Sequence, residues 1–434
     1  SALRKYMDYR VTRLENGLQL VTAPMPGMYS VTVSVFVGVG SRYELMADAG
    51  SAHLIEHMLF KGTQRRPSAE AISETIERVG GMMNAATDKE QTVYWVKVAR
   101  DRLDVATDLL ADMLLHSMFE RSEVEKERRV VIEELTMSID SPQDWVHSLI
   151  DEICWPDSPL GRDVAGTRES VARLTRDGLL RFKEGSYLPE NVVVSIAGGI
   201  DHDQARAVVA ETFGTWRLPA RGQGAALPVA EPSLYQATNP TLRYEERSTE
   251  QVNMCLAVAG VSRVSADRYA FDLLTAILGG AMSSRLFLEL RERRGLAYDV
   301  HSYSNKLAET GSMVTYLAVE PDNGLQVVEE VARQLDRLRR EPVSQDELDK
   351  VKDAYKGRLL LGLEDTQSVA GWCGVQQQLY GVIRQPEAVC AEIDRVRPED
   401  VQRLAVECFR DQYLRLAALG PAGGERGLVD ALHL

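Results

Sequence analysis

Residues 92–98 read Thr-Val-Tyr-Trp-Val-Lys-Val, and residues 313–319 read Met-Val-Thr-Tyr-Leu-Ala-Val. Both runs are rich in β-branched and aromatic residues and are typical of strands in a partly buried sheet. Each run lies upstream of a longer segment whose apolar residues recur at helical spacing. The order of apolar strand, helix, glycine-marked turn, amphipathic strand and paired helices occurs in both parts of the chain, which indicates an internal duplication.

The long helices carry the clearest correspondence between the two parts. Ser122 precedes Glu125 by three residues, and Ser344 precedes Glu347 by three residues, 222 positions later. In such a capping box the serine side chain accepts a first-turn N–H and the glutamate reaches back to the serine N–H. We therefore predict that one helix begins at each serine.

A stretch rich in Pro, Gly, Ala and Gln interrupts the periodic pattern near residues 217–240. We predict a first half at residues 1–218, a linker at residues 219–240 and a second half at residues 241–434. The predicted fold class is α+β, with two homologous α/β-sandwich halves in which an antiparallel or mixed sheet is covered by helices.

Composition excludes several classes of protein. Asp and Glu outnumber Lys and Arg by 64 to 50 among 434 residues, so the basic surface needed for nucleic-acid binding is not expected. No apolar run approaches the length of a membrane span. The five cysteines are widely spaced, which argues against a disulfide framework. We expect a cytoplasmic protein, or one of the mitochondrial matrix if a transit peptide has been removed.

The pentapeptide His53-Leu54-Ile55-Glu56-His57 carries the strongest chemical signal. Two histidines four residues apart share one face of a helix, so both imidazoles point toward a common position. Glu56 lies near the same face and can serve as a general base without binding the metal itself. The motif is H-x-x-E-H and predicts a zinc site.

A catalytic zinc site needs a third protein ligand. Four glutamates of the predicted helix after Ser122 are candidates, and of these Glu127 and Glu134 lie two turns apart on one stripe. Pattern alone leaves open a second interpretation, in which these glutamates form a solvated face paired with neighbouring basic residues. The four candidates are Glu125, Glu127, Glu133 and Glu134.

These residues resemble the pitrilysin/insulinase metallopeptidases, also called inverzincins, and in particular the short-chain branch that includes mitochondrial processing peptidase and its bacterial relatives. In that family the third zinc ligand follows the second histidine by 77 residues, and a helper glutamate precedes the ligand by seven. The resemblance implies that Glu134 is the ligand and Glu127 the helper. Glu133 is the near alternative, because tandem glutamates make a slip of one residue easy.

The resemblance extends to substrate contacts. Residues 80–87 are similar to the edge strand whose backbone holds an extended peptide in this family, which implies that Asn84 and Ala85 bind substrate. Residues 290–298 resemble the segment that contributes an arginine and a tyrosine seven residues apart. The implied pair is Arg291 and Tyr298, which would help to hold substrate and the developing oxyanion.

The resemblance implies a zinc metalloendopeptidase that hydrolyses short or unfolded peptides in an enclosed chamber, with one zinc ion per chain and a homodimer or heterodimer with a related chain. At the repeat offset Glu127 and Glu134 fall on Asp349 and Lys356, so only the first half is expected to bind metal. Two alternatives remain at this stage. One is a non-catalytic or regulatory subunit of a heterodimeric peptidase, and the other is a presequence-type processing peptidase.

Overall fold

The computed structural model describes residues 7–216 and 234–434, which pack as two compact units. Unit 1 comprises residues 7–135, 163–216 and 359–388. Unit 2 comprises residues 136–162, 234–358 and 389–434. Of the predicted linker at residues 219–240, residues 219–233 lie outside the described residues and residues 234–240 lie within them.

The secondary structure of the described ranges alternates between strands and helices. Their strands are β1 (Arg10–Arg13), β2 (Gln19–Pro24), β3 (Ser30–Val37), β4 (Met82–Thr87), β5 (Thr92–Ala99), β6 (Val192–Gly198), β7 (Thr241–Glu246), β8 (Val252–Ala259), β9 (Ala297–Lys306), β10 (Gly311–Val319) and β11 (Arg415–Gly420). Their α-helices are α1 (Ser51–Leu59), α2 (Ala69–Glu77), α3 (Leu103–His116), α4 (Arg121–Asp140), α5 (Pro142–Cys154), α6 (Arg168–Arg173), α7 (Arg176–Ser186), α8 (His202–Phe213), α9 (Arg268–Gly279), α10 (Gly324–Arg340), α11 (Gln345–Gly362), α12 (Thr366–Tyr380), α13 (Pro386–Arg395) and α14 (Pro398–Cys408). None of the helices in the described part of the chain is long and apolar enough to span a membrane.

Each unit is built on one mixed sheet with the same strand connectivity. Unit 1 has the order β1-β2-β6-β3-β5-β4, in which β2 and β6 are parallel and the remaining neighbours are antiparallel. Unit 2 has the order β7-β11-β8-β10-β9, in which β7 and β11 are parallel and the remaining neighbours are antiparallel. Apart from the added β1, the two orders coincide strand for strand. The predicted α+β class and duplicated architecture are confirmed.

The two strands predicted from the alternating pattern are confirmed and correspond to β5 and β10. Of the two predicted helix starts, one is wrong. Helix α4 begins at Arg121, so Ser122 lies inside the first turn and does not cap it. Helix α11 begins after Ser344, whose hydroxyl accepts the Glu347 N–H at 3.2 Å. The Ser-x-x-Glu pattern therefore marks both helices but sets the boundary of only one.

Two helices pack on the sheet of the other half of the chain from the one in which they lie. Helix α5 lies before the linker yet packs on β8 and β11 in unit 2. Helix α12 lies in the C-terminal part of the chain yet packs on β2, β3 and β6 in unit 1. The two packing units therefore differ from the contiguous halves at residues 1–218 and 241–434 that we predicted. Apolar periodicity shows which face of a helix is buried, but it does not show which sheet buries that face.

The core of unit 1 lies on both faces of its sheet. On one face, apolar residues of β3 and β5 pack against α3, and the buried residues of α1 belong to the same cluster. On the other face, Phe36 of β3 packs against α12, where Val369, Ala370 and Cys373 are buried. A Cβ atom at Gly374 would come within 2.0 Å of the Phe36 ring, so α12 approaches the sheet at a position that requires glycine.

We expect Gly374→Ala to lower the stability of the chain by about 1–3 kcal/mol, because the added methyl group overpacks the α12 contact with Phe36. Gly371→Ala is the matched control, since a Cβ atom there meets no atom within 4 Å. The control should be neutral or stabilising by about 0.5–1 kcal/mol, because alanine favours a helix more than glycine does. Urea unfolding midpoints measure both changes, and equal midpoints for the two variants would contradict this packing of α12.

Candidate active site

Helix α1 has two chemically different faces. Leu54, Ile55 and Met58 are fully buried in the core of unit 1. His53, Glu56 and His57 are only partly buried and project from the remaining face of the helix. The apolar residues anchor the helix to the core, and this packing fixes the direction of the two imidazoles and the carboxylate.

The start of α1 is held by a residue that sequence reasoning missed. Gly50 precedes the helix with a φ of 94°, a conformation that favours glycine. Because glycine has no side chain, it cannot cap the helix with a side-chain hydrogen bond. The buried Glu44 carboxylate instead accepts the N–H groups of Gly50 at 2.9 Å and Ala52 at 2.7 Å. A carboxylate at a helix N-terminus is favoured by the helix dipole. No sequence pattern marks a glutamate six residues upstream as a cap.

Helix α4 places two glutamates on opposite sides of the His57 ring. Glu127 belongs to the buried stripe of the helix, and its Oε2 lies 3.2 Å from His57 Nδ1. The Glu134 side chain is 44% exposed, and its Oε2 lies 3.6 Å from His57 Nε2. The seven-residue spacing thus brings both carboxylates to one histidine, but in different environments.

His53, His57 and Glu134 form a cluster that could hold a metal ion. One ligand atom from each residue lies within 4.8 Å of the others, and Glu134 Oε2 is 3.9 Å from His53 Nε2. These separations are too long for hydrogen bonds. Zinc bonds of roughly 2.0–2.2 Å would bring tetrahedral ligands to roughly 3.2–3.6 Å from one another. Two imidazoles and one carboxylate also form a donor set of catalytic zinc sites, so these residues fit zinc.

The alternative ligands on α4 do not join this cluster. Glu125 forms an ion pair with Arg128 on the same helix. Glu133 is exposed, and none of the described contacts joins it to His53 or His57. The geometry therefore favours Glu134 over its tandem neighbour.

Burial changes the proton affinity of the groups on α1. Burial and the neighbouring His57 lower the pKa of His53 to about 4, so His53 is neutral at pH 7 and can act as a ligand. Burial raises the pKa of Glu56 above its usual range, although the Thr87 hydroxyl donates a hydrogen bond to the Glu56 carboxylate and opposes that shift. A carboxylate with a raised pKa is a better proton acceptor than a solvated one. Thr87 ends strand β4, so it links the candidate base to the edge of the sheet.

Strand β4 is the terminal strand of the unit 1 sheet, the position that the family resemblance implied for residues 80–87. Asn84 is exposed and its neighbour Ala85 is half-buried. The Ala85 N–H donates to the Asn84 side-chain oxygen at 2.8 Å. One backbone donor of this strand is therefore already engaged by a side chain, which the sequence did not indicate.

Arg291 and Tyr298 lie in unit 2 and are close to each other. Arg291 belongs to a π-helical segment at Phe287–Arg293, and Tyr298 lies at the start of β9. The Arg291 guanidinium lies 5.9 Å from the centre of the Tyr298 ring and 5.1 Å from that of Phe287. The Tyr298 residue is 74% exposed, so its hydroxyl is accessible from solvent.

Comparison with known proteins identifies similar sequences and similar folds. The family model described as insulinase, peptidase family M16, matches residues 20–168, and the model described as the peptidase M16 inactive domain matches residues 173–355. A protein of Mycobacterium leprae described as an uncharacterised zinc protease is 37% identical over 98% of this chain and 94% of its own length. The Bacillus subtilis protein YmxG, described in the same words, is 35% identical over 94% of this chain and 97% of its own length.

Among solved structures, a protease from Helicobacter pylori has a TM-score of 0.90 with 23% sequence identity, over 96% of this chain and 100% of that one. This likeness concerns the fold. The family models and the long alignments to zinc proteases together show that the chain belongs to the insulinase family of peptidases, M16.

Proposed function

We propose that this chain is a zinc metalloendopeptidase that hydrolyses peptide bonds in short or unfolded peptides. The observation that carries the proposal is the position of Glu56, which lies on the same helix face as His53 and His57. A cluster that only stored a metal would not need a carboxylate with a raised pKa beside its ligands.

His53, His57 and Glu134 would hold one zinc ion per chain. When bound, zinc supplies a Lewis acid that lowers the pKa of water toward ~7 and polarises a peptide carbonyl. The three side chains would leave a position open, as catalytic rather than structural zinc sites do. Membership of a family whose relatives are named zinc proteases supports this choice of metal.

Glu56 would accept a proton from the attacking water and deliver it to the leaving amine. Burial, the largest cause of the raised pKa of Glu56, makes its carboxylate a stronger proton acceptor than a solvated one. The hydrogen bond from Thr87 would hold one carboxylate oxygen in place, so that the other remains available for the proton. General acid–base catalysis of this kind contributes about 10²–10⁴-fold.

Glu127 would act on the reaction through His57. Its contact with Nδ1 favours the tautomer in which Nδ1 carries the proton and Nε2 is available as a ligand. A carboxylate behind a ligating histidine also increases the basicity of the ring.

Strand β4 would bind the substrate as an additional strand, with Asn84 and Ala85 near the scissile bond. The Asn84 side chain would have to release the Ala85 N–H for a peptide to pair at that residue. Arg291 and Tyr298 would contribute substrate contacts and stabilise the oxyanion. Pairing with a second related chain, like or unlike, belongs to the same proposal.

The first test replaces the proposed base without changing its size. Glu56→Gln should lower turnover of a quenched fluorescent peptide library by at least ~10²-fold while zinc remains bound, because glutamine cannot accept the proton. Glu74→Gln is the control, since Glu74 is exposed and pairs with Arg78 on α2. Turnover at the wild-type level in Glu56→Gln would reject Glu56 as the base.

The second test separates the tandem glutamates. We expect Glu134→Gln to lose stoichiometric zinc, because it removes the anionic ligand of the cluster, whereas Glu133→Gln keeps it. Elemental analysis after dialysis measures the zinc content of each variant. Retention of zinc by Glu134→Gln together with its loss from Glu133→Gln would assign the ligand to Glu133.

A further inference from the structure

Lys61 contacts the glutamate that lies behind His57. It follows the last residue of α1, Leu59, by two positions. Its Nζ lies 2.9 Å from Glu127 Oε1, while Glu127 Oε2 lies 3.2 Å from His57 Nδ1. One carboxylate group therefore bridges a cation and a candidate metal ligand.

Glu127 depends on this lysine more than a surface glutamate would. Its side chain is only 2% exposed, and in the described part of the chain the polar partners of its carboxylate are Lys61 and His57. A buried carboxylate without a partner is costly, because it has lost its hydration. The Lys61 side chain is 24% exposed and supplies the compensating charge.

The shape of the carboxylate connects the two contacts. The two oxygens of a carboxylate lie in one plane at a fixed angle. The ion pair at Oε1 therefore also restricts the position of Oε2. His53 provides a contrast, because its buried Nδ1 has no hydrogen-bond partner among the described residues. Of the two histidines, His57 is therefore the one whose ring orientation is fixed by a carboxylate. That carboxylate belongs to Glu127, which is held in turn by Lys61.

We propose that Lys61 is a positioning residue of the metal site, which orients His57 for ligation by fixing Glu127. The inference rests on the proposed zinc-dependent function. Its rival is a purely structural role, in which a cation after the end of α1 interacts with the helix dipole and does not act through Glu127. The two roles differ in one respect: only the positioning role requires Glu127.

A double-mutant cycle on zinc affinity distinguishes the two roles. The variants are Lys61→Met, Glu127→Gln and the double variant, and chelator competition gives the zinc Kd of each. We expect Lys61→Met to raise the zinc Kd about 10–100-fold, which is the usual cost of losing a residue behind a metal ligand. In the Glu127→Gln background the same change should leave the Kd unaltered, because the intermediary is gone. Lys61→Arg should keep most of the affinity, because it keeps the charge.

Lys97→Met is the matched control. The Lys97 side chain is also 24% exposed and is also ion-paired, with Asp365, but it projects from β5 and has no contact with the cluster. Its zinc Kd should equal that of the wild type. Thermal unfolding of the metal-free proteins checks that each variant folds. Should Lys61→Met fail to fold, Lys61→Gln, which keeps a polar head group, replaces it in the cycle.

The outcomes separate this inference from the function on which it rests. A wild-type zinc Kd in Lys61→Met overturns the inference, as does an equal rise in Kd with and without Glu127. In both cases a wild-type chain that binds zinc and cleaves peptides leaves the proposed function intact. A wild-type chain that binds no zinc overturns both. A rise in Kd that disappears in the Glu127→Gln background supports the positioning role.

Discussion

The contact of two α4 glutamates with the two ring nitrogens of His57 is the interaction on which the rest of the site depends. Glu127 approaches Nδ1 from a buried position, and Glu134 approaches Nε2 from a half-exposed one. Neither contact is possible unless α1 and α4 are both fixed against the core of unit 1. The apolar residues of the two helices provide this fixation, so the stability of the core and the geometry of the site have a common origin.

The sequence predicted the parts of the site that follow from helical periodicity. His53, Glu56 and His57 lie on one face because an α-helix repeats every 3.6 residues, and Glu127 and Glu134 lie two turns apart for the same reason. The sequence did not predict Glu44 as the cap of α1 or Lys61 as the partner of Glu127. Both are contacts between segments that no periodicity connects, so they depend on the folded chain.

The fold, like the site, was predictable where it depends on local sequence patterns and unpredictable where it depends on contacts between distant segments. The duplication was readable because each half repeats the same order of strand and helix signals. The sequence did not predict on which sheet α5 and α12 pack, because an amphipathic helix fits either of two similar sheets. The predicted cap at Ser122 was wrong for a related reason: α4 begins at Arg121, two residues before the start that such a cap would give. A capping pattern is a local preference, and the packing of Val124 and Val131 sets where α4 lies.

A crystal structure of the zinc-loaded protein, with anomalous scattering recorded on both sides of the zinc absorption edge, would show directly which side chains ligate the metal. We expect one anomalous peak bonded to His53 Nε2, His57 Nε2 and a Glu134 oxygen at roughly 2.0–2.2 Å. Glu56 and Glu127 should lie beyond bonding distance of the peak. A peak ligated by Glu133 or Glu127, or the absence of any peak at the two histidines, would contradict this expectation.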